Sequence, residues 1–181
     1  LTHAGKAQTA INNEATTPIQ LLVVPRHPQR FDEVQQLLQA AGLRVSRRSQ
    51  WAGGPQSADV WLGDSLGEMA LYYSLAHVAL LGGSFAPLGG QNLIEAAACG
   101  CPLVMGPHTF NFAEAAELAI AAGVAERVAG MAAGVAAASA LAQDAPRQAR
   151  LAQRCQAFTQ AHRGAALATA RAVVQQLQAR A

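Results

Sequence analysis

From residue 20 onward the chain repeats one rhythm: a short apolar run, a polar or glycine-rich break, then a helical stretch. The run QLLVV at 20–24 is stopped by Pro25, the pattern of a strand buried on both faces. Residues 31–41 place Val34, Leu37, Leu38 and Ala41 on one helical face, and Gly42 ends it. Further strands are predicted over 43–46, 59–62, 77–81, 102–105 and 124–128, with helices over 68–75, 93–99 and 112–122. Such alternation implies a parallel sheet covered by helices. Right-handed crossovers then leave a Rossmann-like, doubly wound α/β fold as the expected architecture.

After Gly130 only helices are predicted, over 131–142, 146–161 and 165–179. In the last, Leu167, Ala170, Val174 and Leu177 form one stripe, so this helix is expected to pack. At 181 residues the whole chain, 1–181, reads as one domain, with a poorly defined segment at 1–19 and a helical tail at 131–181. Hydrophobic residues make up 51% and charged residues 13%, which excludes a disordered chain. The longest uncharged run, 69–94, is broken by Gly82, Gly83, Pro87, Gly89 and Gly90, so no membrane-spanning helix is predicted. There is neither a signal peptide nor an initiator Met, and the chain reads as a piece of a longer protein.

A net charge of +2 is too small to point to nucleic acid. Charge is unevenly spread, however: Arg147, Arg150 and Arg154 flank a stripe of Leu151, Cys155 and Phe158. That flank reads either as a solvated face or as a contact with an anionic membrane surface. Cys99, Cys101 and Cys155 match neither a disulfide framework nor a zinc pattern, which suits a reduced compartment, and Cys99 and Cys101 read as small buried hydrophobes.

Ligands of open parallel sheets bind beyond the carboxyl ends of the strands. The loops there are 25–28, 63–68, 82–84, 89–92 and 106–111, which hold nearly all the glycine and polar punctuation of the first half. Three junctions carry a capping-box pattern: Ser65 with Glu68, Asn92 with Glu95, and Asn111 with Glu114. Glu95 has a second reading. Gly89 and Gly90 precede its helix, glycine lets a ligand approach the backbone, and exposed N–H groups favour an anion. A carboxylate beside that anion is suited to accept from a ribose diol. Arg26 and His27 lie between two prolines, either as a surface pair or as a stiffened anion-binding loop whose guanidinium forks onto carboxylate or phosphate. His108, after Gly106 and Pro107, reads as a hydrogen-bond donor or a cap. His3, His77 and His162 have no metal-ligand spacing and read as structural, and no metal site is predicted. Neither a G-x-G-x-x-G fingerprint nor a P-loop occurs, and no Asp-x-Asp pair is present to hold a divalent ion against phosphate.

Taken together, PRHPQRF at 25–31, GDSLGEM at 63–69, GGSFAPLGGQNLIEAAACGCP at 82–102 and GPHTFNF at 106–112 resemble the donor-binding half of 3-deoxy-D-manno-octulosonic acid (Kdo) transferases. Those enzymes are GT-B glycosyltransferases of lipopolysaccharide synthesis. The resemblance runs from about residue 20 to residue 130. It implies that Arg26 and His27 face the charged part of CMP-Kdo. Gly83, Ser84, Gly90, Gln91 and Asn92 would lie around its phosphate, Glu95 would hold the ribose hydroxyls, and His108 would complete the donor site. Gln91 stands where the family often has His. Thr2-His3-Ala4-Gly5 matches an expected loop, but Lys6 departs from it, and 6–18 do not match.

The resemblance further implies an inverting, metal-independent transferase with no cofactor, acting at the cytoplasmic side of the bacterial inner membrane. Its partners would be CMP-Kdo and a lipid A precursor. The acceptor domain and the catalytic base would lie in an N-terminal half that this sequence lacks, so the chain alone is expected to bind nucleotide and catalyse nothing. The competing expectations are a GT-B UDP-sugar transferase or epimerase, and a Rossmann-like interaction module without a ligand.

Overall fold

A computed structural model describes residues 18–54, 56–161 and 165–178. The strands are β1 (Leu21–Val23), β2 (Val45–Arg47), β3 (Val60–Leu62), β4 (Ala79–Leu81), β5 (Leu103–Met105) and β6 (Ala125–Arg127). The α-helices are α1 (Phe31–Ala40), α2 (Met69–Leu75), α3 (Ile94–Ala98), α4 (Ala113–Ala121), α5 (Met131–Ala142), α6 (Ala145–Ala161) and α7 (Ala165–Gln178). Every element expected beyond residue 20 is present. Thr2, His3, Ala4 and Gly5, residues 6–17, and His162 lie outside the described residues.

All strand pairs are parallel, as the uninterrupted apolar runs require. They form two three-stranded sheets, ordered β1-β3-β2 and β4-β5-β6. Leu21 and Val45 both pair with Val60, and Leu103 pairs with Ala79 and Ala125. The expectation of one doubly wound sheet therefore resolves into two half-sheets, with no ladder between them among the described residues. The central strands are the most buried: Val60 and Leu62 of β3 and all of β5 are closed to solvent.

The main core lies in the second half. Leu81, Leu103 and Met105 meet Leu93 and Ala96 on one side, and Ala116, Ala119, Cys155 and Phe158 close it. Alanines on α3 and α4 let those helices sit close to the strands, which explains the chain's alanine bias there. Cys155 and Phe158 turn inward from α6, as the stripe predicted, and α6 packs along α3. Burial pushes the Cys101 thiol up to about 12 and the Cys155 thiol up to about 11, so both stay protonated and apolar in character. α2 joins the halves, because its Tyr73 and the following Ala76 pack against the second core.

The expectation that α7 packs through its apolar stripe is not met. Val173, Val174 and Leu177 are exposed, and Ala170 is too. Periodicity specifies an apolar face, but not a surface to cover it. No helix among the described residues is long and apolar enough to cross a membrane.

Candidate functional site

The loops leaving β4 and β5 are held against each other by short-range backbone contacts. Gly82–Ser84 forms a single 3-10 turn directly after β4. Ser84 is 0% exposed; its hydroxyl donates to Leu81 O at 2.5 Å and accepts the Gly106 N–H at 2.7 Å. Its carbonyl accepts the His108 N–H at 3.0 Å. The Ser84 hydroxyl is therefore buried and turned into the contact between the two loops, as donor and as acceptor.

Gly89 and Gly90 follow with φ of +86° and +84°, a left-handed pair that side chains other than hydrogen rarely adopt. Space enforces the same choice at Gly89, where a Cβ would collide with the Asn111 amide and the Phe110 ring. At Gly90 a Cβ would lie 3.3 Å from His108 O. The Gly90 N–H donates to Gly83 O at 3.3 Å, and Gly89 O accepts the Asn111 N–H at 3.1 Å. Gln91 folds back so that its Oε1 accepts the Gly83 N–H across a long 3.4 Å. The structure thus brings Gly83, Ser84, Gly90, Gln91 and His108 together.

Asn92 and Glu95 stand at the exposed edge of this cluster. The Glu95 side chain forms no hydrogen bond or ion pair among the described residues. It nevertheless lies near the seam between the halves: the Tyr73 phenol is pushed up to about 12, first by burial and then by the Glu95 carboxylate. Arg26 and His27 are exposed just after β1, on the first half, and their side chains make no described hydrogen bond or ion pair. The His27 carbonyl accepts the Arg30 N–H at 3.0 Å, which closes the turn after Pro28. His77, expected to be structural, is exposed.

The three capping boxes do not form. The residues at the helix starts are Glu68, Leu93 and Phe112, none with a side-chain cap. Ser65 instead bonds Glu68 and Tyr72 through its hydroxyl. Asn92 Oδ1 accepts the Ile94 N–H at 3.1 Å, a local turn, and Asn111 Nδ2 donates to Leu88 O at 3.3 Å. Side chains that favour caps favour any nearby backbone partner equally well.

Two further clusters were not foreseen. The Asp64 carboxylate, with its side chain 1% exposed, accepts Arg47 Nε at 2.5 Å, the Ser49 N–H at 2.8 Å and the Ser49 hydroxyl at 2.6 Å. Burial pushes its pKa up, but those hydrogen bonds outweigh burial and hold it below the ordinary carboxylate range. Next to it, Glu68 accepts Arg48 Nη2 at 2.8 Å, and its pKa is lowered by the Ser65 hydroxyl first. Across the molecule, Arg127 bridges Glu117 at 2.7 Å and the Thr109 hydroxyl at 3.0 Å, bracing the loop that follows His108. No local sequence signal announces these pairs, since their partners lie 10 to 20 residues apart.

No family model matches the chain. It is 51% identical over 155 residues to 3-deoxy-D-manno-octulosonic acid transferase of Bordetella pertussis, covering 84% of this chain and 36% of that protein. The Haemophilus influenzae enzyme of the same name is 44% identical, over 52% of this chain and 22% of its own. A probable mitochondrial 3-deoxy-D-manno-octulosonic acid transferase of Arabidopsis thaliana is 40% identical, over 51% of this chain and 21% of its own. The chain therefore spans about a third or less of the curated relatives it matches. Among solved structures, the C-terminal CMP-Kdo binding domain of WaaA from Acinetobacter baumannii superposes with a TM-score of 0.70 at 34% identity, covering 77% of this chain and 72% of that one. With that fold, that identity and that coverage, the chain belongs to the 3-deoxy-D-manno-octulosonic acid transferase family.

Proposed function

We propose that this chain is the part of a Kdo transferase that binds the donor CMP-Kdo. The observation that carries the reading is the clustering of Gly83, Gly90, Gln91 and His108 at the carboxyl ends of β4 and β5. The Acinetobacter relative named for CMP-Kdo binding supplies the ligand class. It favours this reading over a UDP-sugar transferase, an epimerase or an interaction module.

The chemistry follows from the groups present. The Gly83 N–H donates only across a long bond to Gln91 Oε1, so a phosphate oxygen competes for it on good terms. Asn92 and His108 lie beside it as further donors. Glu95, unpaired among the described residues, accepts both ribose hydroxyls. Arg26 and His27 meet the second anion, the Kdo carboxylate or the phosphate beside it, with a planar fork and an imidazole. Donors aimed at the phosphate stabilise CMP as it leaves, which is the share of catalysis this region supplies. Inversion, the base that activates the acceptor hydroxyl, and the lipid A precursor site are assigned to the rest of the enzyme. We place that enzyme at the cytoplasmic side of the inner membrane, without a metal or cofactor requirement.

The arginine flank of α6 fits the solvated reading better than a membrane contact. Arg147 pairs with Glu126 at 3.6 Å, and the Arg154 guanidinium lies over Gly123.

Titration calorimetry of the 181-residue chain with CMP and with UDP, each in magnesium and in EDTA, tests the reading. CMP is expected to bind equally in both media, and UDP far more weakly. Preference for UDP, or CMP binding only with magnesium, would overturn it.

A further inference from the structure

We propose that Ser84 is a positioning residue of the donor site: it touches no ligand, and it fixes the loop after β5 on the loop after β4. The inference rests on the donor reading above and deepens it.

Two polar atoms of Ser84, its hydroxyl and its carbonyl oxygen, take part in three hydrogen bonds in the interior. The hydroxyl donates to Leu81 O, which ties the turn to its own strand, and accepts the Gly106 N–H from the neighbouring strand's exit. The carbonyl accepts the His108 N–H two residues further on. Approach is at backbone contact, since a Cβ on Gly106 would lie 2.5 Å from Ser84 O. His108 then passes the constraint on. Its own carbonyl lies against Gly90, whose N–H donates to Gly83 O, and Gly83 precedes Ser84 in the chain. Contacts therefore run in a closed circuit through Ser84, His108, Gly90 and Gly83.

Residues that bind a ligand through backbone amides have no side-chain freedom with which to correct an error in loop placement. A clamp between the two loops thus sets the spacing of the Gly83 amide and the His108 side chain together. Serine meets the need where alanine does not, because one small group has to donate to Leu81 and accept from Gly106 in a dry site. Replacing it leaves a buried N–H and a buried carbonyl without partners.

Ser84→Ala in the 181-residue chain separates positioning from general stability. Amide exchange reads the clamp without any ligand: the Gly106 N–H is expected to exchange at least about tenfold faster in the variant, as the loss of one hydrogen bond implies. Calorimetry reads the consequence: affinity for CMP is expected to fall about tenfold, and affinity for cytidine, which lacks the phosphate, to stay the same. Circular dichroism fixes a temperature at which parent and variant are both folded. Ser84→Cys, close in volume but with weak donor and acceptor strength, is measured in the same way should alanine prevent folding.

Unchanged CMP affinity beside faster Gly106 exchange would overturn the positioning role, as would equal losses for CMP and cytidine. Unchanged Gly106 exchange would overturn the clamp itself. A parent chain that bound neither ligand would overturn the donor reading instead, and Gly106 exchange would then decide the clamp alone.

Discussion

Arg47, at the end of β2, reaches the buried Asp64 beyond the end of β3 with its Nε 2.5 Å from Oδ2. The same guanidinium extends to Asp32 at 2.6 Å and Gln35 at 3.0 Å on α1. One arginine therefore fastens a helix and two strand exits of the first half. Its pKa is raised, by the Asp32 hydrogen bond first and the Asp64 hydrogen bond next. The loop that carries Glu68 starts from this anchor.

The anchor makes stability depend on pH in a stated direction. The Asp64 pKa is lowered in the folded chain, so its stabilisation is fully present above the unfolded value near 3.9 and is lost as pH falls through the lower folded value. Asp64→Ala is expected to cost about 1–3 kcal/mol at pH 7, since it leaves the Ser49 N–H without its acceptor and takes one of two carboxylates from the Arg47 guanidinium. Urea unfolding of parent and variant between pH 7 and pH 2 checks both points. The gap should hold above about pH 4 and narrow below it, and a gap that stayed constant down to pH 2 would count against the assignment.

Glu95 is exposed and its side chain carries no described hydrogen bond, so removing its charge should disturb the fold little. Glu95→Gln is expected to weaken CMP binding far more than binding of its 2′,3′-dideoxyribose analogue, because charge-assisted bonds to both hydroxyls are lost. Equal losses for the two ligands, measured by calorimetry, would reduce Glu95 to a structural residue.

Arg26 stands on the first half, away from the glycine cluster in sequence and exposed. Hydrogen bonds to charged groups contribute about 1.5–3 kcal/mol, so Arg26→Ala should weaken a stable CMP-Kdo analogue by roughly 10- to 150-fold. Arg26→Lys should remain impaired, since a point charge does not replace a planar fork. Cytidine, with neither anion, should bind parent and variants alike; a shared loss of cytidine binding would mark Arg26 as structural.

The strands and helices were legible because buried parallel strands and amphipathic helices leave periodic traces in the chain itself. The predicted α5 range, 131–142, matches the observed Met131–Ala142, where Gly130 starts and Gln143 ends the alanine run. What depended on distant partners was not legible. Ser65, Asn92 and Asn111 have the chemistry of N-caps, yet each found another partner that folding brought closer. The same holds for Ser84, whose small polar side chain looks like a loop residue in the sequence and proves to be interior. Arg47 with Asp64, and Arg127 with Thr109, are pairings that only the sheet order creates. The stripe of α7 failed for the converse reason, a clear local pattern without a covering surface.

Backbone amide shifts of the 181-residue chain titrated with CMP test most directly whether the strand-exit loops of β1, β4 and β5 form the donor site. The account predicts saturable shifts at Arg26, Gly83, Gly90 and His108, with α7 unmoved. Saturable binding that left the glycine loops unshifted and perturbed other surfaces would contradict it.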